Sequence, residues 1–138
     1  MSAHVVHLQV ADSSGWWAVE EVNALTGCGL EGDKHARPTS PRQVLLAEQE
    51  VLEAFSLAPG ALHEQITIVG LRLAPLPAGS RLRVGQALFE VTGPCRPCSW
   101  VNRLGNGMIE LLKDQRGVLT RVMEGGRIRR GDEIRVQP

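Results

Sequence analysis

The residues with the most chemistry lie in Val91-Thr-Gly-Pro-Cys-Arg-Pro-Cys-Ser-Trp100, where an apolar run enters a loop holding two of the chain's three cysteines, Cys95 and Cys98. A thiol becomes a nucleophile or a metal ligand as its thiolate, and a nearby cation favours that form. Arg96 supplies such a cation two positions before Cys98. Pro94 and Pro97 restrict the backbone on either side of Cys95, so the loop is stiff, which suits aiming one sulfur at a bound group. Four readings of the cysteines compete. Cys95 and Cys98 form a redox pair, although no thioredoxin-like helix follows them. Cys95, Cys98, Cys28 and His35 bind zinc, although a single CxxC with two distant partners is weaker than paired knuckles. One thiol does the work, or both cysteines are small buried hydrophobes.

The elements that must position this loop are short. Val5, Val6, Leu8 and Val10 make a β-type run ended by the turn Asp12–Gly15, and Trp16 to Leu25 reads as a second strand. Residues 26–41 show no apolar period. That long loop carries Asp33, His35 and Arg37, a polar set that favours function. Arg42 to Ala47 reads as a buried strand, followed by a helix over Ala47–Ser56 with Val51, Leu52 and Phe55 on one face. Gly107–Asp114 suits a second short helix, and Val118–Met123 alternates like a strand. Gly79–Leu88 and Gly125–Ile134 share Gly-x-Arg-[Leu/Ile]-Arg-x-Gly, each reading as two short strands about a glycine turn. The pattern predicts a mainly β fold, a closed or nearly closed β-barrel with one or two short α-helices.

At 138 residues, 43% hydrophobic and 22% charged, the chain reads as one soluble domain, 1–138, large enough to bury a core without disulfides. No apolar run spans a bilayer and no signal-like start is present, so a cytoplasmic protein without a membrane partner is expected. The formal net charge of zero hides an asymmetry: residues 1–69 hold nine Asp/Glu against three Lys/Arg, and residues 70–138 hold six against twelve. The arginines are dispersed along strands, which excludes a general nucleic-acid surface. They either solvate exposed strand faces or gather around a small anion.

In order along the chain, Gly29-Leu-Glu-Gly-Asp-Lys-His35, Arg42-Gln-Val-Leu-Leu, Pro59-Gly60, Glu64-Gln-Ile-Thr67, Gly70-Leu, Gly79-x-Arg-Leu-x-Val-Gly85, Val91-Thr-Gly-Pro94, Pro97-Cys98, Arg116-Gly117 and Gly131-Asp132 resemble the MOSC domain. That domain occurs at the C-terminus of molybdenum-cofactor sulfurases and in stand-alone bacterial proteins, and the resemblance runs from about Val5 to Val136. It implies a barrel-like β fold that binds the molybdenum cofactor, or carries sulfur, through one cysteine. The family's Pro-Cys falls on Pro97-Cys98, so Cys98 is the expected working thiol and molybdenum ligand. Cys28 and Cys95 take no family position, which disfavours zinc and the reading as a small zinc-binding structural domain. Some relatives reduce N-hydroxylated compounds at a cysteine-ligated molybdenum, and such a role here calls for an external electron donor.

The resemblance also suggests the remaining walls. Soft sulfur suits both molybdenum and a persulfide. Amides of Gly29 to Asp33, Gly32 included, could meet the molybdopterin phosphate as an anion nest, with Arg96, Arg116 or Arg121 supplying charge-assisted bonds. Asp33 and Glu64 would face the pterin's N–H donors. Thr67 and Thr92 belong to the same expected cofactor set, and Gln65 stands where many members have Asn. His35 is either an acid and phosphate donor or a structural hydrogen-bonder. For Arg42 the alternative to a cofactor contact is strand solvation. Trp100 could wall the pocket or belong to the core. A cysteine desulfurase or an electron-donor protein is the expected partner.

Overall fold

A computed structural model describes residues 2–96 and 99–138, apart from the side chain of Ser99. Cys98 and Pro97 lie outside the described residues. The expected β-rich architecture forms, with strands β1 (His4–Asp12), β2 (Gly15–Val19), β3 (Glu21–Leu25), β4 (Gly29–Leu30), β5 (Val44–Glu48), β6 (Ile66–Val69), β7 (Arg81–Val84), β8 (Ala87–Pro94), β9 (Val118–Glu124), β10 (Gly126–Arg129) and β11 (Ile134–Gln137). Two short helices, α1 (Gln49–Ala54) and α2 (Met108–Leu111), and a 3-10 helix over Ser99–Leu104 complete it. None of the described helices is long and apolar enough to cross a membrane.

The expected closed barrel is not what these strands make. Among the described residues they form an open eight-stranded sheet in the order β11-β7-β8-β9-β5-β6-β1-β2 and a three-stranded sheet in the order β10-β3-β4. The large sheet is mixed, because β5 runs parallel to β6 while its other pairs are antiparallel. Residues Trp16 to Leu25 explain the opening. They are two strands, not one: β2 ends the large sheet against β1, and after Glu20 the chain enters β3, which pairs with β10 instead. β11 approaches β1 through a lone bridge between His4 and Glu133.

The two Gly-x-Arg segments also diverge in space. β7 and β8 pair as a hairpin about Gly85-Gln86, whereas β10 and β11 join different sheets. Alternation along the strands places Leu8, Val44, Leu46, Ile66, Ile68, Phe89, Val118 and Val122 in the main core. The same alternation turns Leu45 and Leu119 to the opposite face. There a second apolar cluster, Val51, Leu52, Leu62, Val101, Met108 and Leu112, packs under the helices and reaches Trp100. The candidate site lies between that cluster and the sheet.

Candidate functional site

A cavity of about 230 Å³ is lined by His35, Arg42, Leu45, His63, Gln65, Cys95, Trp100, Arg116 and Leu119. Its floor is the outward face of β5 and β9, and its walls are the loops before β5, before β6 and around the 3-10 helix. His35 and Arg42 also line an adjoining cavity of about 520 Å³ with Lys34, Arg37 and Ser40. Four residues expected from the sequence, His35, Arg42, Gln65 and Arg116, therefore meet in one place. The working thiol expected at Cys98 is outside the described residues, three positions beyond Cys95 in the wall.

Asp33 stands behind this lining as its organiser. Its buried carboxylate accepts from the Ala11 amide at 2.9 Å and from Gln65 Nε2 at 3.0 Å, and His35 Nδ1 lies 3.3 Å away. Burial alone would raise the carboxyl's pKa, but the bonds from His35, Ala11 and Gln65 outweigh it and hold the group below the ordinary carboxylate value. Gln65 is itself 2% exposed. Its Oε1 accepts from the Leu45 amide at 2.8 Å, so the side chain keeps one N–H and one lone pair for a ligand.

Glu64, Thr67 and Thr92 shape the walls and do not line the cavity. The Glu64 carboxylate accepts from the amides of Gly60 (2.8 Å) and Leu62 (3.0 Å) and from the Thr67 hydroxyl (2.6 Å), closing the turn that carries His63. The Thr92 hydroxyl lies within reach of the Pro41 and Leu119 carbonyls and bridges β8 to the loop bearing Arg42. Around Gly32 the amides of Glu31, Asp33, Lys34 and His35 donate to Asn23, Leu30, Ala11 and Asp33, so these four are committed within the protein.

Arg116 is buried and held in place. Its Nη1 donates to the Arg96 carbonyl at 3.2 Å and its Nη2 to the Leu62 carbonyl at 3.1 Å, while its guanidinium lies 5.1 Å from the centre of the Trp100 ring. Arg96 meets the site through that carbonyl and lines a neighbouring cavity with Cys95, Ile109 and Lys113. Trp100 continues a stack of rings: His63 on Trp100 at 4.0 Å, Trp16 on His63 at 5.2 Å, and His35 on Trp16 at 5.6 Å.

The charges divide sharply. Arg72, Arg83, Arg121, Arg127, Arg129, Arg130 and Arg135 each pair with a glutamate. Lys34, Arg37 and Arg42 are the three cations of residues 1–69, a stretch that holds nine acids. They sit together on the site's rim, and none makes an ion pair among the described residues. An anion is the complement such a rim lacks.

Sequence reasoning missed His63 and Trp16, and it missed two glutamines that brace the site. Gln43 Nε2 donates to the Gly27 (2.9 Å) and Arg37 (3.1 Å) carbonyls and its Oε1 accepts from the Val122 amide (2.9 Å), fixing the long loop against β9. Gln9 Nε2 does the same for the Gly60–Glu64 turn, at 3.0 Å to both carbonyls. A glutamine set among apolar strand residues was the available signal. Of the zinc set, Cys98 lies outside the described residues, and among the described residues no three of His, Cys, Asp or Glu are grouped to hold a metal.

The MOSC domain family model matches residues 34–135, most of the chain and all the residues that line the two adjoining cavities. The chain belongs to the MOSC domain family. Solved structures agree on the fold. The YuaD protein of Bacillus subtilis is 21% identical with a TM-score of 0.80, covering 97% of this chain and 94% of its own. YiiM of Escherichia coli is 22% identical with a TM-score of 0.77, covering 100% of this MOSC chain and 70% of its own. YiiM of Geobacillus stearothermophilus is 18% identical with a TM-score of 0.71, over 99% and 75%. No curated protein matches the chain.

Proposed function

We propose that this MOSC domain binds the molybdenum cofactor, or carries sulfur destined for it, with Cys98 as the working thiol. The observation that carries the reading is the rim of Lys34, Arg37 and Arg42. These cations lack carboxylate partners among the described residues and open onto a cavity whose wall includes Cys95, the start of the loop that continues to Cys98. The donor set fits a phosphate-bearing planar heterocycle. Arg42, Arg116 and His35 would hold the phosphate, the free N–H and lone pair of Gln65 would meet a ring edge, and Cys98 thiolate would bind the metal or a persulfide sulfur. Bound there, the cofactor would supply oxygen- or sulfur-transfer chemistry at its metal.

The chain's own residues then have distinct tasks. Asp33 orients His35 and Gln65, Glu64 with Thr67 fixes the turn before β6, and Thr92 holds the approach to Arg42. A cysteine desulfurase, or for the reductive role an electron-donor protein, is the partner this reading requires. The test is to purify the protein from cells that make the cofactor and to assay molybdenum, pterin, zinc and cyanide-releasable sulfur, with Cys98→Ser alongside. Molybdenum with pterin, or labile sulfur, is expected in the parent and absent from the variant. Stoichiometric zinc that disappears on changing Cys28 or Cys95 would overturn it.

A further inference from the structure

His63 has four unusual properties at once. It has φ 63°, a left-handed backbone uncommon for residues other than glycine, though histidine is among those that adopt it more often. Its ring is clamped between Trp100 at 4.0 Å and Trp16 at 5.2 Å, with interplanar angles of 16° and 23°. It lines the cavity. Neither ring nitrogen has a hydrogen-bond partner among the described residues. A conformation that costs free energy, holding an edge with an unused donor and acceptor in a cavity, points to a ligand.

The surroundings decide the protonation state of that edge. The loop before β5 presents Lys34, His35 and, across the cavity, Arg42, while Arg116 comes from the segment before β9. The strand carrying Trp16, Gly15–Val19, contributes no charge. The two nearest carboxylates are committed elsewhere, Asp33 to His35, Ala11 and Gln65, and Glu64 to Gly60, Leu62 and Thr67. Burial first, then the charges of Arg116, His35 and Lys34, hold the His63 imidazole below its ordinary value. The empty cavity at neutral pH thus presents a neutral ring.

We propose that His63 is a ligand-binding residue that takes up a proton when an anion enters the cavity. An anion seated among Arg42, Arg116, His35 and Lys34 offsets the positive charges that, after burial, hold the ring neutral. One ring nitrogen then accepts a proton from solvent, no other bond changes, and the imidazolium becomes a further donor to the anion. The loaded cavity carries an acid that the empty one lacks. This rests on the anion-binding reading above and adds to it a proton-linked residue.

Sulfate is the probe, because it is a tetrahedral dianion that does not titrate near neutrality. The His63 ring protons are followed by NMR against pH in sodium sulfate and in sodium chloride of equal ionic strength. His63→Gly assigns the signal and tolerates the left-handed backbone, and His63→Asn serves if the glycine variant does not fold. The expected result is a rise of about one unit in the His63 pKa with sulfate bound, the range for a charge partner at a few ångströms. His4 and His7 should not move. Sulfate should bind His63→Gly about three- to fivefold more weakly at pH 6 and nearly as well as the parent at pH 8.5. Sulfate that perturbs the Trp100 indole signal while leaving the His63 pKa unchanged would overturn the proton uptake alone. Absence of sulfate binding would overturn the anion cavity and this inference together.

Discussion

Gln65 Nε2 donates to Asp33 Oδ2 at 3.0 Å, between two side chains that are each more than nine-tenths buried. That bond joins the start of β6 to the long loop that carries His35 and Arg42. Asp33 also receives the Ala11 amide of β1 and Gln65 the Leu45 amide of β5. One polar pair therefore fixes three neighbouring strands and the site's long loop in a single arrangement. Such a network specifies geometry strongly because each buried member is costly to leave unpaired.

Replacing Asp33 tests that arrangement. Asp33→Asn keeps the volume but removes the charge that strengthens the bonds to Ala11, Gln65 and His35, and should cost about 1–3 kcal/mol in urea unfolding at pH 7. The carboxyl's folded pKa is depressed, so its contribution is fully present above the unfolded value of about 3.9 and is lost as pH falls through the lower folded value. The stability gap between parent and variant should accordingly shrink at pH values below about 3.9. A gap independent of pH would show that the charge is not what Asp33 contributes.

Arg116→Lys should fail as a conservative change. A lysine cannot reach the Arg96 and Leu62 carbonyls together while lying flat over Trp100. A loss of about 1–2 kcal/mol is expected from the forfeited bonds. Altered tryptophan fluorescence should accompany it, together with weaker sulfate binding. Parent-like fluorescence and affinity would mean that only positive charge is needed there.

Much of this was readable in the chain, and what was not has physical reasons. β1, β5, β8 and β9 announce themselves by apolar runs or alternation. Trp16 to Leu25 keeps a plausible strand pattern across Glu20, so the move from one sheet to another leaves no local mark, and the barrel expectation fails at that point. His35, Arg42, Gln65 and Arg116 stood out by charge, loop context or family resemblance. His63 did not, because a lone histidine beside Glu64 looks like any turn residue until Trp16 and Trp100 arrive from distant parts of the chain. The pairing of the strand arginines with glutamates was equally invisible. Lys34, Arg37 and Arg42 stand apart because, among the described residues, they lack such partners and gather at one cavity.

Gly117 is required for space as well as for conformation. It has φ 130°, and a β-carbon there would collide with the Leu46 carbonyl oxygen of β5. That obstacle is backbone inside the β5–β9 pair, so it cannot swing aside as a side chain would. Gly117→Ala should destabilise the protein by about 2–4 kcal/mol, the upper range for single changes, and lower its soluble yield. Gly107→Ala has an open surround and meets only the φ 76° penalty, so it should cost about 1 kcal/mol. Equal costs at the two positions would refute the steric argument.

Leu111 and Leu112 are neighbours with opposite environments, 51% exposed and fully buried. Leu112 belongs to the cluster of Val51, Leu52, Leu62, Val101 and Met108 on which Trp100 rests. Leu112→Ala should cost about 2–5 kcal/mol, the usual range for a buried leucine, whereas Leu111→Ala should stay within about 0.5 kcal/mol. The loss should also loosen the support beneath Trp100, so that its contact with His63 and Arg116 weakens at temperatures well below unfolding. Near-ultraviolet circular dichroism would register that as a reduced tryptophan signal in Leu112→Ala alone. If the signal persists up to the main thermal transition, the site's ring stack is held by the sheet and by Arg116, and the small cluster serves only stability.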